Sequence, residues 1–412
     1  MMDVSMTRTP DHKDNPRKNN HGKDHPRKGN SGPDPSRIHP VFLGSDALSP
    51  FHDCYANEDT VLRRAAGRYF AQYNGDDPVK GYWALRRAAA LFDVPERPVE
   101  ISGPDAVPFL EYLTTRRVAD MKKGRGRYVL LCTHQGGLLM DGVLFRLAED
   151  RFWLVQPDGD LDTWILAHRH GYDIAVSDPG SRVLQLQGPR SFAIMNAASG
   201  GAIGRDFGYF HSGFFTLGGQ PVYASRTGWS GELGYEIYTL GDQTDCPRLW
   251  SHLMECGGPE GMVFASMQTI NIRRIEAGIL DSGSDFDTSM TPHAAGLGRF
   301  VDRAKNDFIG RASLLDEVEQ NRLFGIKTHG GTPKAGDAVL ADGTVIGRIT
   351  TGAFSPLLEC GIGYVRLLPG ITVEGRTITL ASERFGTLDA EITPLPFYDP
   401  DKLIPRTIPA ST

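Results

Sequence analysis

Between Arg226 and Tyr238 the chain reads Arg-Thr-Gly-Trp-Ser-Gly-Glu-Leu-Gly-Tyr-Glu-Ile-Tyr, with Gly228, Gly231 and Gly234 at intervals of three residues. Glycine admits positive φ and lets other groups approach the backbone, so the spacing implies a tight loop beneath a ligand. Trp229 offers a flat ring to a heteroaromatic partner. Glu236 stands between Tyr235 and Ile237 in a run that reads as a strand, where a carboxylate buried without a partner is costly. A pterin would satisfy it, because its 2-amino group and N3–H form a paired donor edge for a carboxylate. A glycine-rich hairpin with Glu236 turned to solvent fits the same spacing, and the residues alone leave both readings open.

The surrounding elements must hold this loop in place. Apolar residues at helical spacing predict a helix over Tyr82–Phe92, ended by Asp93-Val-Pro, and another over Asp105–Leu113. Further helices are expected at Leu161–His170, Arg190–Ala198, Arg248–Met254 and Met267–Ala277. Strand signals fall at Tyr128–Cys132, Gly142–Leu147, Phe152–Val155, Val183–Gln187, Phe214–Leu217, Pro221–Ser225 and Tyr235–Thr239. After Arg322 the pattern changes to six short β runs, between Leu323 and Ile392, most of them separated by Gly, Pro or Asp. That spacing predicts a compact β-barrel. The expected organisation is an α+β body over 41–318 and a barrel domain over 319–405. Residues 1–40 are polar and rich in Lys, Arg, Asn, Asp, Gly and Pro, and are expected to be disordered.

Composition narrows the class of function. The chain has 412 residues, 40% hydrophobic and 23% charged, the balance of a globular protein. A net charge of −6 speaks against nucleic acid as a partner, and no apolar run of about 18 residues predicts a membrane span. Cys54, Cys132, Cys246, Cys256 and Cys360 are scattered without CxxC spacing, which suits reduced thiols in a cytoplasmic protein. No P-loop, no strand-borne GxGxxG and no metal-spaced His/Glu cluster is present, so neither a bound metal nor a dinucleotide is expected.

The Arg226–Tyr238 segment resembles the signature of the glycine-cleavage T-protein (aminomethyltransferase) family. Seven further segments resemble that family in the same order: Tyr82–Val94, Gln135–Asp141, Leu186–Pro189, Arg274–Gly278, Asp307–Arg311, Thr350–Pro356 and Gly361–Val365. The match covers roughly residues 80–400. It implies a three-domain cloverleaf of the α+β class around a central channel, with a C-terminal β-barrel and tetrahydrofolate as acceptor. It places Glu236 on the pterin, Trp229 and Tyr235 beside it, and Arg274 in the channel wall. The family carries a pair of acids where this chain has Met140-Asp141, which leaves Asp141 as the catalytic candidate.

Other local features resemble the dimethylsulfoniopropionate demethylase branch of the same superfamily. These are Pro95-Glu-Arg-Pro-Val-Glu-Ile101, Asp158–Trp164 and Pro292–Arg299. They imply methyl transfer from a small sulfonium, betaine-like or methoxy donor to N5 of tetrahydrofolate. Trp164 would then contact the donor, since aromatic faces attract cations, and His134 would flank it near the Asp141 loop. The alternative is the aminomethyl transfer of the glycine cleavage system, with a lipoyl carrier protein as partner. A third reading is a non-catalytic folate-binding assembly or tRNA-modification factor. None of the five cysteines sits in the KGCYxGQE-type run of the iron–sulfur branch.

Overall fold

The computed structural model describes residues 48–410 except 66, 157–160 and 317–319. The tail expected to be disordered, residues 1–40, lies outside the described residues.

A six-stranded sheet runs in the order Ser212–Leu217, Gln220–Ser225, Gly234–Thr239, Val183–Gln187, Ala89–Val94, Met262–Phe264. All neighbours are antiparallel except the last pair. On one face, Leu91, Leu184, Leu186 and Ile237 pack against Ile194 and Met195 of the Ser191–Ala198 helix and Leu249 and Leu253 of the Cys246–Gly257 helix. On the other, Phe92, Val94, Tyr223 and Tyr238 meet Phe145, Trp153 and Val155 of a second sheet. That sheet has five strands, ordered Arg125–Cys132, Leu138–Ala148, Arg151–Gln156, Arg97–Ser102, Ala175–Ser177. Its far face is covered by the Ala106–Leu113 and Leu161–His168 helices. The inner strands Ala89–Val94, Val183–Gln187 and Gly234–Thr239 are buried on both faces and lack the alternation that the edge strand Ser212–Leu217 keeps.

Six strands between Leu323 and Thr393 close into a barrel around Ile326, Val339, Ile349, Val365 and Leu380. The expected α+β class and C-terminal barrel are thus present. No helix among the described residues is long and apolar enough to cross a membrane.

One element differs from its sequence expectation. The helix read over Tyr82–Phe92 spans Pro78–Arg87, with Asp77 accepting from Val79 N (2.9 Å) and Lys80 N (3.3 Å) as its N-cap. Ala89–Val94 is a strand, buried at every position. A short continuous apolar run fits a buried helix turn and a two-sided strand equally, and pairing with Val183–Gln187 decides the case.

Asp93 in that strand is 4% exposed and accepts from the Tyr55 hydroxyl at 2.9 Å. Burial pushes its carboxyl up to about 6, against the hydroxyls of Ser49 and Tyr55 and the charges of Arg182 and Arg68. A raised carboxyl favours the folded state in its protonated form. Its contribution is therefore complete below about pH 4 and lost as pH rises through 6. The rise from 3.8 to about 6 corresponds to about 3 kcal/mol. Urea unfolding of wild type and Asp93→Asn checks this: the stability difference between them should shift by about that amount between pH 4 and pH 7, against the wild type. A difference independent of pH would mean that Asp93 is ionised throughout.

Candidate functional site

Strand register assembles the first part of the site. Ser225 pairs with Glu236, and Glu236 with Gln185, so three polar side chains stand in a row across neighbouring strands. Glu236 is 6% exposed. Its Oε2 accepts from the hydroxyls of Thr227 (2.6 Å), Tyr238 (2.6 Å) and Ser225 (3.4 Å), and its Oε1 from Gln185 Nε2 (3.1 Å). Burial still pushes the carboxyl above its ordinary range, with the three hydroxyls pulling the other way. The crowding at Oε2 leaves acceptor capacity at Oε1, so a two-pronged grip on both oxygens would require one hydroxyl to turn away.

The glycine loop is shaped by a second glutamine. Gln187 donates to the carbonyls of Thr227 and Tyr235 (3.3 Å each) and accepts from Ser230 Oγ (2.7 Å). A Cβ on Gly228 or Gly234 would lie 2.1 or 2.3 Å from its amide oxygen. Gly231 adopts φ +68°, and a Cβ there would meet that of Ala277 at 2.5 Å. Each of the three glycines therefore answers to a contact, and together they bring Trp229 N to 3.2 Å from Gln185 Oε1. The loop's Glu232 is 5% exposed and pairs with Arg86 and with Arg273 Nε (2.8 Å).

Arg274 lies over the Trp229 ring, 5.0 Å from its centroid. The guanidinium is 2% exposed and bonded to Asp285 (2.7 Å), Asn271 (2.8 Å), Thr351 (3.0 Å) and the Ile279 carbonyl (3.1 Å). Thr350 also donates to Asp285 at 2.7 Å, so the barrel strand Thr344–Ser355 braces the Met267–Glu276 helix.

Asp141 comes from the five-stranded sheet. It pairs with Leu130, and Tyr128 lies two residues along the same face, which brings the Tyr128 hydroxyl to 2.6 Å from Asp141 Oδ2. Burial, then the charge of Asp141, keeps the Tyr128 phenol far above its ordinary range, so it serves as a donor. Met140 faces the other way, 2% exposed in the core with Val129, Leu131 and Leu144. An acid at 140 would sit in that apolar cluster, so its replacement by Met leaves the cavity-facing carboxylate in place.

Glu236, Trp229, Arg274 and Asp141 line one cavity of about 840 Å³, together with Tyr128, Arg116, Arg299 and Lys402. That size falls within the range of small-molecule sites. Three other residues singled out in the sequence lie outside it. Tyr235 is fully buried on the opposite face of its strand and stacks with Phe207, with ring centroids 6.3 Å apart; residues adjacent in a strand point to opposite sides. Trp164 packs through its helix against the core of the five-stranded sheet, 4.2 Å from the His168 ring. His134 reaches His168, with their Nε2 atoms 3.3 Å apart. The sequence reading missed Gln185, Gln187, Thr227 and Glu232. The available signal was polar residues at strand positions otherwise filled by apolar ones.

The comparisons agree with this architecture. Residues 52–305 match the family model described as the GCVT N-terminal domain, and residues 321–399 that of the glycine cleavage T-protein C-terminal barrel domain. Lys402 and Arg406, which also line the cavity, come after the second match. The chain is 32% identical to an aminomethyltransferase of Streptomyces avermitilis over 82% of this chain and 96% of that one. It is also 32% identical to a dimethylsulfoniopropionate demethylase of Ruegeria pomeroyi, over 66% of this chain and 76% of that one. Among solved structures, the glycine cleavage system aminomethyltransferase T from Bartonella henselae superposes with a TM-score of 0.76 at 26% identity, covering 86% of this chain and 98% of that one. With both domain models matched in order and the fold reproduced, the chain belongs to the glycine cleavage T-protein family, a superfamily of folate-dependent one-carbon transferases.

Proposed function

We propose that the cavity moves a one-carbon unit onto N5 of tetrahydrofolate, with Glu236 holding the pterin edge, Trp229 lying against its ring and Asp141 managing the proton. The observation that carries this reading is that a buried carboxylate with spare acceptor capacity and a second carboxylate with a phenol donor line the same cavity. Arg274 acts through Trp229, fixing its ring rather than binding the ligand itself.

For the donor, the first reading is aminomethyl transfer from a carrier arm, which most of the named relatives support. The apolar setting of Met140 supports it as well, since the carboxylate that lines the cavity is that of Asp141. The second reading, methyl transfer from a small sulfonium, betaine-like or methoxy donor, is supported by the 32% identity to a dimethylsulfoniopropionate demethylase. Arg116, Arg299 and Lys402 line the same cavity and could meet only an anionic part of such a donor.

Product identity separates the two. With tetrahydrofolate and aminomethylated lipoyl carrier, the expected products are 5,10-methylenetetrahydrofolate, ammonia and the dihydrolipoyl carrier, whose sulfur leaves as the thiol. Turnover confined to small donors, giving 5-methyltetrahydrofolate, would replace the first reading by the second. Folate binding without turnover on any donor would leave a binding role in assembly or tRNA modification.

A further inference from the structure

Phe300 carries two guanidinium groups, Arg116 at 5.4 Å and Arg299 at 4.8 Å from its ring centroid. The Tyr128 ring meets it edge-on at 4.7 Å, and Arg116 Nη1 also donates to the Tyr128 carbonyl at 2.9 Å. Both cations are thereby fixed beside the residue that bonds Asp141. Lys402 arrives from another direction, in the segment that follows the barrel. Its ammonium donates to the carbonyl of Ala277, the C-cap of the Met267–Glu276 helix.

Arg116 and Lys402 are poorly compensated. Asp120 and Asp302 act on Arg116, but the first is paired with Arg127 (2.6 Å) and the second with Arg117 (3.5 Å). Lys402 feels Arg273, Arg299 and Arg406 as like charges and only Asp399 as an opposite one. Burial and those neighbours bring its ammonium down to about 8. Arg116 and Lys402 are half-buried, whereas Arg299 is exposed at the mouth of the group; the two half-buried charges are unfavourable until an anion joins them.

Backbone strain points to the same place. Asp399 and Lys402 adopt φ of +55° and +54°, a region costly for residues with a Cβ. Asp399 holds the turn by accepting from Leu403 N and Ile404 N, each at 2.9 Å. The strained backbone aims a lysine into a cavity that already holds two fixed arginines, and strain of this sort persists where the surroundings enforce it.

We propose that Arg116, Arg299 and Lys402 form a carboxylate-binding subsite at the Asp141 end of the cavity, which takes an anionic group of the one-carbon donor. Guanidinium and ammonium groups supply the charge-assisted bonds a carboxylate needs, and a bound carboxylate would place the rest of a small donor beside Asp141. The donor class is then a small acid bearing a transferable carbon, rather than a purely cationic molecule. The assignment rests on the small-donor reading for its ligand and on the cavity geometry for the subsite itself.

Calorimetry with matched acids and amides tests it: propionate, benzoate and 3-(methylthio)propionate against propionamide, benzamide and 3-(methylthio)propionamide, each titrated into protein saturated with tetrahydrofolate. At least one acid is expected to bind about tenfold or more tighter than its amide, the scale of one charge-assisted bond. Arg299→Met and Lys402→Met should each reduce that preference several-fold in protein that still unfolds cooperatively, with Lys402→Arg restoring most of it. Equal binding of acids and amides by the wild type, or a preference that survives both substitutions, would overturn the proposal. So would a loss of tetrahydrofolate affinity in the two variants with the acid preference intact, because the glutamate carboxylates of the folate would then be the anion. The same titrations without tetrahydrofolate keep the subsite separate from the folate reading: the acid preference should persist even in a protein that fails to bind folate.

Discussion

Asp141→Asn is expected to lower turnover by roughly 10²- to 10⁴-fold, the usual contribution of a positioned acid or base. Tetrahydrofolate affinity should change little, because Asp141 and Glu236 belong to different sheets and different polar clusters. Asparagine keeps the shape of the side chain, and its amide oxygen can still accept from the Tyr128 hydroxyl. What it loses is negative charge and the capacity to take the proton that leaves N5 as the new C–N bond forms. Tyr128→Phe separates orientation from charge: Asp141 then keeps its proton capacity but loses a 2.6 Å bond. A smaller loss, about tenfold, is expected there. Steady-state kcat and KM with fluorescence-monitored folate binding provide the readout. Turnover in Asp141→Asn within a few-fold of wild type would remove the residue from proton handling.

The sequence made the fold's elements legible wherever the local pattern had one physical reading. The six barrel strands, the Gly234–Thr239 strand and the helices flanking the sheets follow from alternation, helical spacing and turn residues. Ala89–Val94 did not, because a strand covered on both faces and a buried helix turn carry the same apolar run. The site was legible at the level of segments and less so at the level of faces. Glu236 and Tyr235 are adjacent in one strand, and only the pairing with Gln185 and Ser225 shows which of them faces the cavity. Met140 and Asp141 pose the same question, and again the register answers it. Trp164 and His134 belong to segments that resemble functional ones, yet the helix turns its tryptophan toward the core. Lys402 offered no signal at all, since its position depends on the chain doubling back after the barrel to reach the carbonyl of Ala277.

Glu236→Gln should separate stability from binding. Folding raises the Glu236 carboxyl above its unfolded value, so the protonated form is the one the folded protein favours. Its contribution is complete below the ordinary carboxylate range and is lost as pH rises through the raised value. At neutral pH the ionised side chain therefore lowers stability, despite the hydrogen bonds from Thr227, Tyr238, Ser225 and Gln185. Glutamine removes that charge, and the three hydroxyls can rotate to suit an amide. The variant should melt above wild type at pH 8, with the gap closing toward pH 4. Binding should move in the opposite direction. A donor edge on Oε1 interacts most strongly with the ionised carboxylate, and a hydrogen bond to a charged group contributes about 1.5–3 kcal/mol, so affinity for tetrahydrofolate should fall roughly ten- to hundredfold. Wild-type affinity should also strengthen as pH rises through the raised carboxyl, because binding expels its proton, whereas the glutamine variant lacks that component. Calorimetry at several pH values reads both effects. A variant that is more stable yet binds folate as tightly as wild type would make Glu236 a buried structural acid and move the pterin elsewhere in the cavity. The opposite pair, weaker binding with a pH-dependent gain in stability, would mean that the folded protein holds a costly charge in readiness for its ligand.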